Sequence, residues 1–186
     1  AISNISVKEV TNSVKDFSSN TNNGVLYSGK CLHFDQGNTY IDIDYWKSEA
    51  ISANTKATFA MWFWCEDPNS DAMMFGSSGN NRFYLGVKDA KLELGWGGSG
   101  WQSYGTQTGS VPVILKRWYR AVVVVDGLTC SVYLNGKFAF SKKNEDPFTL
   151  DDDGVYIGSE GDIQSNIWYG ELADFQIYDK AWTASD

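Results

Sequence analysis

The residues in this chain best suited to chemistry are aromatic. Trp96, Trp101 and Tyr104 fall within a glycine-rich, almost uncharged stretch, residues 95–109, that follows the alternating run Leu92-Glu93-Leu94. Flat rings with a few polar neighbours are the side chains that stack on sugar faces. In the preceding run, Arg82–Val87, Phe83, Leu85 and Val87 take one face and Arg82, Tyr84 and Gly86 the other. Arg82 and Tyr84 would add a guanidinium fork and a further ring. The spacing predicts a ligand-facing patch of Trp96, Trp101, Tyr104, Arg82 and Tyr84. A second reading stays open, in which Trp96 continues the inward face of Leu92 and Leu94 and Trp101 covers the core edge.

Catalytic constellations are poorly supplied. Asp42 and Asp44 alternate with Ile41 and Ile43, so the carboxylates face outward together and read as surface charges. His33 is the only histidine, it lies in an apolar run that reads as a strand, and no Gly-x-Ser-x-Gly turn accompanies it. One histidine and three scattered cysteines do not assemble the three or four nitrogen and sulfur ligands that zinc needs. Cys31, Cys65 and Cys130 read as buried free thiols, with one disulfide and a leftover thiol as the alternative. No enzyme activity is expected.

The 186 residues suit a single all-β domain, and a hydrophobic share of 42% supports a sizeable core. A net charge of −8, offset by no Lys/Arg cluster, would repel a nucleic-acid backbone. The longest wholly apolar run, Phe59–Cys65, is far short of the ~20 residues that span a bilayer, so no membrane insertion is expected.

Strands must position these side chains. Arg117–Phe140 reads as a three-strand meander, turned by Asp126-Gly127 and Asn135-Gly136, both suited to the positive φ of two-residue hairpins. Ala121–Val125 is an unbroken β-branched run, expected to be covered on both faces, and Phe59–Cys65 reads as a central strand. Trp62, Trp64 and Trp118 are therefore expected in the core. Lys88-Asp89-Ala90-Lys91 is a turn, and Asn12–Asn23, Glu66–Asp71, Gly95–Gly109 and Asn144–Asp153 read as loops.

Five segments carry a family resemblance in order. Gly29–Ile41 (GKCLHFDQGNTYI), Thr58–Trp62 (TFAMW), Trp118–Lys137 with its Val-Tyr-Leu-Asn-Gly-Lys, Val155–Gly158 and Gly170–Asp179 resemble the laminin G-like branch of the concanavalin A-like lectin/glucanase superfamily. The resemblance covers Asp16–Asp186 and implies an all-β, two-sheet antiparallel β-sandwich, a jelly roll. Residues 16–186 are then the domain, and residues 1–15 a linker or the end of an upstream module. Residues 4–10 are similar to the last strand of the jelly-roll module that precedes such domains in bacteriophage structural proteins. Thr183–Asp186 looks like the N-cap and first turn of a helix that never continues, which favours a domain cut from a longer chain over one that lost a leader.

The resemblance also shapes the functional expectations. Glycosidases of this superfamily carry Glu-x-Asp-x-x-Glu on one strand, and no such motif occurs here. Calcium-binding relatives place an aspartate where this chain has Arg82, and their closing Gly-x-Ile-Asp reads Gly170-Glu171-Leu172-Ala173, with Asp174 one step late. No cofactor is required on this reading. A structural calcium ion is left open, with Asp151-Asp152-Asp153 as an acidic cluster. The implied function is a non-catalytic recognition module of a virion structural protein, a tail fibre or head decoration. Its partner would be a glycan or another virion or host surface component, and its location virion or extracellular. The alternative is a carbohydrate-binding module of a secreted bacterial polysaccharide-degrading enzyme.

Overall fold

The structure, a computed structural model, describes residues 13–14, 24–27, 31–35, 39–43, 56–67, 72–77, 83–96, 105–143, 155–159, 166–183 and 186. Fourteen strands run through them: β1 (Ser13–Val14), β2 (Gly24–Tyr27), β3 (Cys31–Asp35), β4 (Ile41–Ile43), β5 (Lys56–Cys65), β6 (Ala72–Ser77), β7 (Phe83–Lys88), β8 (Lys91–Trp96), β9 (Gly105–Pro112), β10 (Trp118–Asp126), β11 (Thr129–Leu134), β12 (Lys137–Lys143), β13 (Val155–Ile157) and β14 (Tyr169–Tyr178). They form an eight-stranded sheet, β1-β2-β3-β14-β5-β10-β11-β12, and a six-stranded sheet, β4-β13-β6-β7-β8-β9. The expected all-β antiparallel sandwich is the fold.

Alternation along each strand decides what lies between the sheets. On the eight-stranded side, Phe59, Met61 and Phe63 of β5 and Ala121, Val123 and Val125 of β10 are fully buried. On the six-stranded side they meet Phe75, Phe83, Leu85, Val87, Leu92 and Leu94. Phe59 stacks on Phe75 at 5.1 Å between ring centroids and packs on Phe83 at 5.0 Å. Burying a large apolar side chain contributes roughly 1.5–3 kcal/mol, so this interior drives the fold. Cys31, Cys65 and Cys130 are buried free thiols, which decides between the two cysteine readings.

Several local expectations need correction. The first hairpin turns at Gly127-Leu128, since Asp126 pairs with Thr129; Gly127 alone supplies a positive φ, +62°. The second turns where expected, with Asn135 at φ +51° and Gly136 at +75°, both left-handed as a type I′ turn requires. Residues 95–109 are not one loop: β8 runs on to Trp96, and β9 begins at Gly105 and pairs back along it. Asn12–Asn23 likewise contains the short strand β1. Residues 1–12, 44–55, 68–71 and 144–154 lie outside the described residues, so the readings made for them do too.

The expectation that β10 is covered on both faces also fails. Its inward residues are buried, while Val122 and Val124 on the other face are only half-buried. A β-branched run signals strand propensity as well as burial, and here propensity accounts for the outer face.

Candidate functional site

The structure removes Tyr84 from the patch expected from the sequence. Tyr84 does not face solvent. It is 3% exposed and donates a hydrogen bond from its hydroxyl to Glu93 Oε1 at 2.8 Å; Glu93 is itself 4% exposed. Its ring lies over Gly95, its cross-strand neighbour, where a Cβ would collide with the ring. Trp96 closes β8 and pairs with Phe83 and Gly105. Arg82, Trp101 and Tyr104 lie outside the described residues.

An open aromatic face exists elsewhere, on the outer side of the eight-stranded sheet. Trp62 is 37% exposed, Trp118 is 41% exposed and Trp64 is half-buried, so the expectation that all three are core residues is wrong. The cause is strand parity. Phe63 and Tyr119 point inward as a registered pair, which turns Trp64 and Trp118, also a registered pair, outward. Trp62 sits two residues along β5, opposite Arg120. Tyr133 and Phe138 continue the aromatic face on β11 and β12, edge to face at 5.8 Å.

Beside these rings lies a polar network. Arg120 holds its guanidinium 5.9 Å from the Trp62 ring centroid. Its Nη1 donates to Asp174 Oδ2 at 3.2 Å and its Nη2 to Gln176 Oε1 at 3.3 Å. Gln176 Nε2 donates to Asp174 Oδ1 at 2.7 Å, and the Tyr178 hydroxyl donates to Gln176 Oε1 at 3.1 Å. The Arg120 backbone is fixed too: its N–H donates to Asn135 Oδ1 at 2.9 Å, and its carbonyl accepts from Asn135 N–H at 2.8 Å.

A β-bulge builds this arrangement. The pairing of β14 with β5 slips between Ala173 and Gln176, and Asp174 takes φ +52° at the slip. The extra residue lets Phe175 return inward, 5.4 Å from Phe75, while Asp174 and Gln176 both reach Arg120 on the outside. Further along the face, Thr58 ties down the segment after β14: its hydroxyl donates to Lys180 O and accepts from Trp182 N–H. Trp182 packs there on Tyr178 at 4.7 Å.

Asp174 does not suit calcium. Its oxygens are engaged by Arg120 and Gln176, and a guanidinium 3.2 Å away disfavours a cation. Among the described residues, no group of three or more His, Cys, Asp or Glu is placed to hold a metal ion. Burial pushes the Cys65 thiol up to about 12, and burial together with a hydrogen bond to Glu171 pushes Cys31 up to about 11. Neither thiol is a poised nucleophile.

What the face offers is flat indole surface beside fixed donors and acceptors, the complement of a ring bearing hydroxyls. Sequence reasoning missed it although a signal was present. Trp62 and Trp64 share one parity of β5, Trp118 and Arg120 one parity of β10, and an arginine marks that parity as the wet side.

The chain belongs to the concanavalin A-like lectin/glucanases superfamily, whose laminin G-type family model matches residues 35–186. Among solved structures it is similar to the heptameric SAP-like pentraxin of Limulus polyphemus, with 23% identity over 73% of this chain and 69% of that one, at a TM-score of 0.57. It is also similar to the CBM40 module of the Ruminococcus gnavus IT-sialidase, described bound to α2,3-sialyllactose. There the identity is 14% over 84% of this chain and 93% of that one, at a TM-score of 0.64. The binding domain of Paraclostridial Mosquitocidal Protein 1 shares 18% identity at a TM-score of 0.65; the match takes in 96% of this chain and 48% of that one. At these identities the likeness is one of fold. No curated protein matches the sequence.

Proposed function

We propose that this domain is a non-catalytic glycan-recognition module whose binding surface is the outer face of the eight-stranded sheet around Trp62, Trp118 and Arg120. One observation carries the reading: indoles 37% and 41% exposed stand on a regular sheet face beside the Arg120–Asp174–Gln176 network. Large aromatics left in water on a rigid scaffold gain by acquiring a partner, and hydrogen-bonding groups fixed in place confer selectivity. Trp96, Trp101, Tyr104 and Arg82 keep their proposed place as ligand-facing residues, while Tyr84 leaves that set.

The proposed context is a virion structural protein, a tail fibre or head decoration, and it rests on the resemblance of residues 4–10. A carbohydrate-binding module of a secreted polysaccharide-degrading enzyme is the rival context, with the same mode of binding. The sequence flanking this domain in the full-length chain separates the two. A glycan array probed with the wild-type domain and with Trp62→Ala tests the binding reading. Signals lost in the variant support it; signals unchanged in the variant, or no signal at all, defeat it. A neighbouring virion subunit as partner would instead appear as self-association or co-assembly that Trp62→Ala abolishes.

A further inference from the structure

We infer that the ligand of this face is an uncharged sugar chain bound along its length, and not an acidic terminal sugar. The inference rests on the reading of the Trp62 face as a glycan-binding surface and adds the class of glycan.

The charge balance is the first argument. Arg120 is the cation at the centre of the face, and Asp174 already matches its charge at 3.2 Å. Lys56 and Lys116 are likewise engaged, by Asp126 at 3.1 Å and Glu66 at 2.9 Å. Glu171 faces Trp64 across the strands and adds a carboxylate. The chain as a whole carries −8. An acidic sugar would have to displace Asp174 from the guanidinium and leave that carboxylate beside its own, an arrangement that like charges disfavour.

Hydrogen-bond chemistry points the same way. Asp174 and Gln176 Oε1 are acceptors within the network, and Glu171, which accepts from the Cys31 thiol at 3.2 Å, adds a further carboxylate beside it. A sugar hydroxyl both donates and accepts, whereas a carboxylate only accepts. The network therefore complements hydroxyls.

Direction comes from the strand. Trp62 and Trp64 are two residues apart on β5, roughly 6.5 Å at the rise of a strand. Trp118 lies directly across from Trp64. Rings repeating along a sheet face suit successive units of a linear chain better than the single end of one.

Affinity gel electrophoresis of the intact domain tests this. One series of gels carries galactomannan, xylan or mixed-linkage glucan; the other carries polygalacturonate or polysialic acid. The expected result is retardation by a neutral polymer, weakened at least tenfold by Trp62→Ala or Trp118→Ala, and none by the acidic polymers. Oligosaccharides of that neutral polymer should compete at least tenfold better as hexamers than as dimers. Asp174→Asn, which frees Arg120 and keeps a residue tolerant of positive φ, should gain retardation on the acidic gels. Trp62-dependent retardation of the wild type by an acidic polymer, or dimers competing as well as hexamers, overturns the inference and leaves the binding face standing. Retardation that neither tryptophan variant changes, or none in any gel, removes the face and the inference together.

Discussion

Arg120 Nη1 stands 3.2 Å from Asp174 Oδ2, although 54 residues separate them in sequence. The contact exists because β10 and β14 both flank β5, and because the bulge at Asp174 projects a carboxylate where regular alternation would not. Its side chains are 27% and 50% exposed, so water screens the pair.

Arg120→Ala should therefore cost no more than about 1 kcal/mol of stability, the scale of a surface ion pair. It should nevertheless weaken glycan binding severalfold, because it removes the group that orients Asp174 and Gln176. Urea unfolding and titration calorimetry on the same preparation check both parts. A stability loss of several kcal/mol would show that the network is structural.

Tyr84→Phe tests the buried hydroxyl–carboxylate contact on the other sheet. Removing the hydroxyl takes one donor from a Glu93 that is 4% exposed. The expected loss is about 1–3 kcal/mol, the range for removing one partner of a buried hydrogen bond. A denaturant midpoint equal to wild type would mean that the contact contributes nothing.

The turns give a matched pair of predictions. A Cβ at Gly136 would meet open space, so the cost of Gly136→Val comes from the φ of +75° alone, roughly 1–3 kcal/mol. Ala90 is the converse case, a Cβ-bearing residue held at φ +57° whose carbonyl accepts the Val113 N–H at 2.8 Å. Ala90→Gly should stabilise by about 0.5–1 kcal/mol, because relieved strain outweighs the added chain entropy. Melting temperatures shifting in opposite directions would confirm both.

The fold was legible because its signals are local and agree with one another. Asn135-Gly136 specifies a turn, Val155–Ile157 a short strand, and the five family-like segments occur in order. The outer aromatic face was harder to read, for two physical reasons. Trp62 and Trp64 sit in a run so apolar that composition hides its parity; Arg120 marks the wet parity of β10, and the register of β10 with β5 carries that mark to the tryptophans. The bulge that brings Asp174 and Gln176 together on one side is a tertiary adjustment, since no residue type announces the slip. Tyr84 failed differently. Alternation put it on the outer face of its sheet, but an outer face is not thereby an exposed one.

The thiols predict an alkaline limit. Cys65 and Cys31 are pushed from 9.0 to about 12 and about 11, chiefly by burial, and burial drives Cys130 upward as well. Each thiol keeps its proton longer in the folded state than in the unfolded one. Its stabilising contribution is complete below pH 9 and is lost as pH rises through the folded values. Stability measured from pH 8 to 11 should fall, and a Cys65→Ser variant should show a shallower fall. At pH 8 in the native state, alkylation by iodoacetamide should be slow at all three cysteines, becoming complete in denaturant.

The last prediction sets two adjacent residues of β5 against each other. Phe63 is fully buried, stacked on Tyr119 at 5.3 Å and edge to face with Trp168 at 5.9 Å. Trp62, one residue before it, points the other way and is 37% exposed. Truncating a buried aromatic removes transfer energy and leaves a cavity, so Phe63→Ala should cost about 3–5 kcal/mol. Trp62→Ala removes more atoms, but much of its ring already touches water and no cavity is enclosed; about 1–2 kcal/mol is expected. The larger residue should thus be the cheaper one to lose for folding and the costlier one for glycan binding. If Trp62→Ala unfolds the domain as readily as Phe63→Ala, the indole is a core residue and the outer face of this sheet is not the binding surface.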